Sequence, residues 1–126
     1  METEKTIAAY LKGLERGDAK RILALFEKGA MASSPLYGRI KASKFYKELF
    51  SDTTKSKITP LNSFISKSNK NVGAAHFRYD WTLKDGTPTS FECVDVFRFS
   101  KNGKIRHITI IYDTHKLRAA FNKIKK

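Results

Sequence analysis

Asp95 has the strongest claim to chemistry in this chain. It sits in the stretch Phe91–Phe99, which reads FECVDVFRF. In a strand, Phe91, Cys93, Asp95, Phe97 and Phe99 share one face, and Glu92, Val94, Val96 and Arg98 the other. The first face is the more apolar, with one carboxylate in its middle. An ionised Asp among aromatic rings costs several kcal/mol unless it has a partner. Asp95 is therefore paired in the core or at a subunit contact, or opens to a cavity, or is protonated. The cavity reading makes it a functional acid with a raised pKa.

Other reactive residue types are sparse. Tyr10 lies on an inward helical stripe, where its hydroxyl is either satisfied locally or aimed into a pocket. His76 and Asp80 look like an acid–base couple, but their strand face is opposite the aromatic one, so an interface role is expected. Asp113 has the opposite parity to Tyr112 and reads as a helix cap rather than a base. Cys93 is the sole cysteine; a disulfide framework is excluded, and a buried, inert thiol is expected. No zinc spacing, glycine-rich phosphate loop or RNA-binding aromatic signature occurs, so neither metal nor cofactor is expected.

The elements that must position these residues follow from periodicity. Ile7, Tyr10, Leu11 and Leu14 predict a helix over about 3–16, closed by Gly17. Asp18 is a good N-cap for a second helix burying Ile22, Leu23, Leu25 and Phe26 and ending at Gly29. Residues 30–34 read as a short extended segment, and Pro35 to Gly38 as a loop. A third helix is expected over about 41–50, with Phe45, Tyr46, Leu49 and Phe50 apolar. Residues 51–56 are polar and read as an exposed connection. From Lys57 the period becomes two. Four strands are predicted, near 57–67, 72–84, 88–100 and 104–113. The Asp85-Gly86 and Asn102-Gly103 turns favour hairpins, hence an antiparallel meander. A short C-terminal helix, capped by Asp113 or Thr114, would bury Leu117, Phe121 and Ile124.

The predicted class is α+β: three N-terminal helices on a curved antiparallel sheet, one domain over residues 1–126. A pocket is expected between helices and sheet. The outer face mixes His76, Arg78, Asp80, Glu92 and Arg98 with Val94, Val96 and Ile111, which suits a sheet-to-sheet homodimer.

Composition narrows the class. With 126 residues, 40% hydrophobic and 12% aromatic, the chain is long and apolar enough for one packed core and unlike a disordered one. No apolar run approaches the roughly 20 residues of a membrane span. The opening METEKTIAAY is acidic and unlike a signal peptide, so a cytoplasmic location is expected. The net charge is +13, but its lysines are dispersed. Nucleic acid is therefore not the expected partner; a solvated basic surface is.

The chain resembles the nuclear transport factor 2-like superfamily, in its ketosteroid isomerase and SnoaL-like branch. The resemblance is carried by Tyr10 with Gly17-Asp18, Ile22–Phe26, Ser34-Pro35, Gly38-Arg39, Phe45-Tyr46 and Phe77-Arg78. It continues through Val94–Phe99 and Asn102–Ile105 to Tyr112. It implies that Tyr10 and Asp95 form an oxyanion-binding pair, with Asp95 kept uncharged by its apolar site. It further implies that Tyr46 orients Tyr10, and that Phe45, Tyr46, Phe77, Tyr79, Trp81, Ile110 and Tyr112 line the cavity. At the position of the family's aspartate base stands Ser34, and a serine cannot take a carbon-bound proton unaided. The implied ligand is a small hydrophobic carbonyl or phenolic compound. The implied activity is of isomerase or cyclase type, the alternative being a non-catalytic ligand-binding or dimerisation module.

Overall fold

The computed structural model describes residues 2–126. The first apolar stripe forms α1 (Glu2–Arg16), with Ile7, Tyr10, Leu11 and Leu14 buried. Gly17 ends it at φ +64°. Asp18 caps α2 (Ala19–Leu23), its carboxylate accepting the Arg21 N–H at 3.0 Å. There follow β1 (Phe26–Ser34), β2 (Gly38–Lys41), α3 (Ala42–Ser51), β3 (Thr53–Ile65), β4 (Val72–Leu83), β5 (Pro88–Phe99), β6 (Ile105–Ile111) and α4 (Arg118–Ile124).

All six strands join one sheet in the order β2-β1-β6-β5-β4-β3. The meander from β3 to β6 is antiparallel, as its turns foretell. Parity holds along β5: Cys93, Asp95, Phe97 and Phe99 are buried while Glu92 and Arg98 are exposed. In β4, Ala75, Phe77, Tyr79, Trp81 and Leu83 face inward. The helices α1 and α3 cover this inner face.

The first half departs from expectation in four places. The second helix stops at Leu23, and Phe26 instead opens β1. Gly29 ends no helix. It lies inside β1 at φ +82°, where the register against β6 shifts, and glycine alone adopts that turn of the backbone freely. The segment after the Pro35 turn forms β2, pairing Arg39 with Ser33 and Lys41 with Met31. Because β1 runs parallel to β6, the sheet is mixed rather than wholly antiparallel. Finally, residues 51–56 are not an exposed connection. They hold the end of α3 and the start of β3, and Asp52 among them is only 1% exposed.

The C-terminal helix buries Leu117, Phe121 and Ile124 as expected. Neither Asp113 nor Thr114 caps it with a side chain, because α4 starts at Arg118, beyond their reach. Asp113 instead accepts the His115 N–H at 2.9 Å in the preceding turn.

Helix α1 meets α2 at Gly13. A Cβ there would lie 2.7 Å from Ile22 Cγ1, and Ile22 is fully buried with nowhere to move. Gly13→Ala should therefore cost about 1–3 kcal/mol by overpacking, despite alanine's better helix propensity. Chemical denaturation reads this directly; an unchanged or raised midpoint would refute it.

Candidate functional site

Between α1, α3 and the inner sheet face lies an internal cavity of about 30 Å³. That space holds about two water molecules. Tyr10 from α1 and Asp95 from β5 both open onto it. So do Ser34 at the end of β1, Phe45 of α3, and Phe77, Tyr79 and Trp81 of β4. Ile110 and Tyr112 close the β6 side.

Tyr46 does not line the cavity. It stands behind Tyr10, and their hydroxyls hydrogen-bond at 2.7 Å with both residues buried. This contact orients the Tyr10 phenol. Five lining residues were absent from the sequence-based set: Leu14, Tyr37, Leu49, Phe91 and Cys93. Phe91 and Cys93 share Asp95's strand parity, so that signal was present. Tyr37 belongs to a turn, where no periodicity marks it.

Asp95 is 1% exposed. Burial raises its pKa from 3.8 to about 7, and hydrogen bonding from Cys93 and the nearby Tyr10 hydroxyl holds the rise in check. The Cys93 thiol donates to Asp95 Oδ1 at 3.0 Å. Cys93 thus has a polar role, although burial first, and then the Asp95 charge, push its own pKa far up and keep it a neutral thiol.

The phenols around the cavity are held neutral as well. Burial raises Tyr10 and Tyr46 well above the ordinary value, and Tyr79 and Tyr112 also rise chiefly by burial. They act as O–H donors and not as bases near neutral pH. Ser34 Oγ accepts the Tyr37 N–H at 3.1 Å, so that oxygen serves the turn. Asp95 is the only carboxyl lining the cavity. His76 and Asp80 lie on the outer face and do not pair with each other. His76 Nε2 meets Glu92 at 2.8 Å, and Arg78 meets Asp80 at 3.2 Å. Among the described residues, no three His, Cys, Asp or Glu side chains come together as a metal site would need.

A second buried polar cluster braces the cavity wall. The Tyr37 hydroxyl donates to Asp52 at 2.8 Å, and Lys125 Nζ of the C-terminal segment donates to the same oxygen at 2.9 Å. Lys84 Nζ approaches the other oxygen at 3.4 Å. Burial alone would favour protonated Asp52, but these donors outweigh it and hold the pKa below its ordinary value. Lys125 also lies 5.7 Å from the centre of the Tyr37 ring and 5.9 Å from that of Phe121.

Among solved structures, SalBIII, described as an epoxide hydrolase/cyclase-like enzyme with a role in pyran ring formation in the polyether salinomycin, superposes with a TM-score of 0.77. It is 16% identical, with 90% of this chain and 95% of that one covered. An NTF2-like protein of unknown function from Burkholderia pseudomallei gives 0.80 at 16% identity, covering 94% and 96%. AclR of Streptomyces galilaeus, named as a candidate hydroxylase, gives 0.76 at 13%, covering 97% and 96%. At these identities the likeness is one of fold. No curated protein matches the chain by sequence. The model of the SnoaL-like domain matches residues 7–108, which runs from α1 into β6. The chain therefore belongs to the SnoaL-like domain family, within the NTF2-like superfamily.

Proposed function

We propose that the cavity binds a small hydrophobic carbonyl or phenolic compound and that Asp95 moves its protons in a ring-closing or isomerising reaction. One observation carries this reading: the sole carboxyl lining the cavity is buried beside Tyr10, with its pKa raised to about 7. At neutral pH such a group is present in both forms, the condition for acid and base work by one residue.

Ring closure suits this economy better than the isomerase scheme with a separate base. The attacking group of the substrate loses one proton to ionised Asp95. The electrophilic oxygen gains negative charge as the new bond forms. Tyr10 donates a hydrogen bond to that oxygen, and Asp95 returns the proton to it. The proton count closes on one carboxyl, so Ser34 needs no catalytic role. SalBIII, whose description names pyran ring formation, supports the cyclase side of the reading.

The test uses 4-nitrophenol, whose bound ionisation state is visible in its absorbance. Tyr10→Phe and Asp95→Ala should each weaken binding by about tenfold or more, because each removes a donor to one oxygen. Unchanged affinity in both would sink the reading.

The 30 Å³ cavity favours a second reading, a domain whose interior is filled and whose business is association. Its contact would be the outer sheet face, where Phe64 and Ile111 are 53% and 52% exposed beside Val94 and Val96. On either reading a homodimer through this face is expected. Ile111→Glu should convert a dimer to a monomer in light scattering; a parent chain that is monomeric at high concentration would exclude it.

A further inference from the structure

The outer sheet face carries a cationic corner that the cavity chemistry does not use. Cross-strand pairing sets Arg98, His107, Met31 and Lys41 in one row across β5, β6, β1 and β2. The next row holds Thr109, Ser33 and Arg39. Arg106 adjoins them on β6. Arg39, Lys41, Arg98 and Arg106 are exposed, and His107 is half-buried. Ser33 Oγ and His107 Nε2 are hydrogen-bonded at 3.1 Å. Among the described residues, none of these four cations has a carboxylate within ion-pair distance; the ion pairs of the chain lie elsewhere.

We propose that this corner binds the phosphate group of a small phosphorylated ligand. Strands about 4.8 Å apart place the two rows on a platform roughly 15 Å wide, the size of one or two phosphates. Guanidinium forks match phosphate oxygens in pairs, and Ser33, Thr109 and His107 supply neutral donors at the centre. The extent of the charge argues against a nucleic-acid strand. Along β5 the face turns apolar at Val96 and Val94, then meets Glu92 and Asp80, which would repel a longer polyanion. The uncompensated cations would also repel their own copies across a two-fold axis, so a dimer contact centres on the Val94 and Ile111 end.

His107 reports on the corner. The charged groups facing it are Arg98 from β5, Arg39 and Lys41 from β2, and Arg106 from its own strand; β1 offers only Ser33 and Met31. Burial, then Arg39, Arg98 and Arg106, hold its pKa below the ordinary value. A bound dianion reverses the electrostatic part of that.

The experiment titrates inorganic phosphate and pyrophosphate into the full chain, by calorimetry and by the His107 ring signals in NMR. The expected result is saturable binding with an upward shift of the His107 pKa. The Arg39→Gln, Arg98→Gln double variant should lose about tenfold or more in affinity, while Lys44→Gln, Lys47→Gln on α3 keeps it. Equal losses in both variants would mean diffuse charge and overturn the proposal, as would a His107 pKa that phosphate leaves unmoved. Tighter binding of a DNA duplex than of pyrophosphate, lost equally in both variants, also overturns it. The outcome is independent of the cavity, since none of these side chains reaches Asp95.

Discussion

At pH 8, Asp95→Asn should be more stable than the parent chain by about 4 kcal/mol, and at pH 4 the two should be alike. The folded chain raises the Asp95 pKa from 3.8 to about 7, by burial. Between those values the native state holds a proton that the unfolded state has released. Stability then falls as pH rises, and the loss is complete above the folded pKa. Roughly three units at about 1.4 kcal/mol each give the figure above. Asparagine keeps the shape and an acceptor for the Cys93 thiol, which bonds Asp95 Oδ1 at 3.0 Å, and it never charges. Urea unfolding at a series of pH values measures the difference. Parallel curves from pH 4 to 8 would mean that Asp95 is solvated or paired in solution, and the acid–base reading would fall with it.

This cost is a reason to read Asp95 as functional. A leucine or asparagine at that position would spare the fold an ionisable group in an aromatic interior. The two remaining explanations at the sequence level, pairing in the core and exposure at a subunit contact, do not fit its surroundings. Its one hydrogen-bonded neighbour is a neutral thiol, and it faces the inner side of the sheet.

The Asp95 side of the cavity was legible because it depends on local order. Strand period two puts Cys93, Asp95 and Phe97 on one face, and helical spacing puts Tyr10 inward, whatever the rest of the chain does. The other wall was not legible. Asp52 reads as a surface residue among Ser51, Thr53 and Thr54; its burial depends on Tyr37, Lys84 and Lys125, which are far away in sequence. Ile22 to Phe26 reads as one helix by composition. Phe26 leaves it because a strand partner, Ile105, is available, and pairing outweighs a small helix preference. The four-residue β2 is too short to show a period. The cationic corner escaped for a similar reason: Arg39, Arg98 and Arg106 look dispersed until the parallel pairing of β1 with β6 brings them together. Cavity volume depends on how every ring packs, and no spacing encodes it.

That volume leads to the last expected result: Phe91→Ala should speed ligand association by about 10- to 1000-fold. A benzene-sized guest needs on the order of 150 Å³, and the cavity offers about 30 Å³. A ligand must therefore enter a more open form. Minor conformers of this kind are commonly ~0.1–10% populated, and the apparent affinity and association rate are reduced by that fraction. The movable wall is the pair Phe91 and Tyr112, stacked with ring centres 4.3 Å apart. Both line the cavity and both are only half-buried, and Phe91 also borders the surface cleft beside Leu117 and Ala120. Trp81, by contrast, is 1% exposed and donates its indole N–H to Thr53 at 2.7 Å, so it is held in place. Removing the Phe91 ring deletes the gate and leaves Tyr10 and Asp95 untouched. Stopped-flow mixing with 4-nitrophenol reads the rate on folded protein, separately from any loss of stability. Tyr112→Ala, which removes the other half of the stack, should act in the same direction. If both variants associate at the parent rate, the entrance is not at this stack, and the C-terminal helix fastened by Lys125 to Asp52 becomes the element that must move.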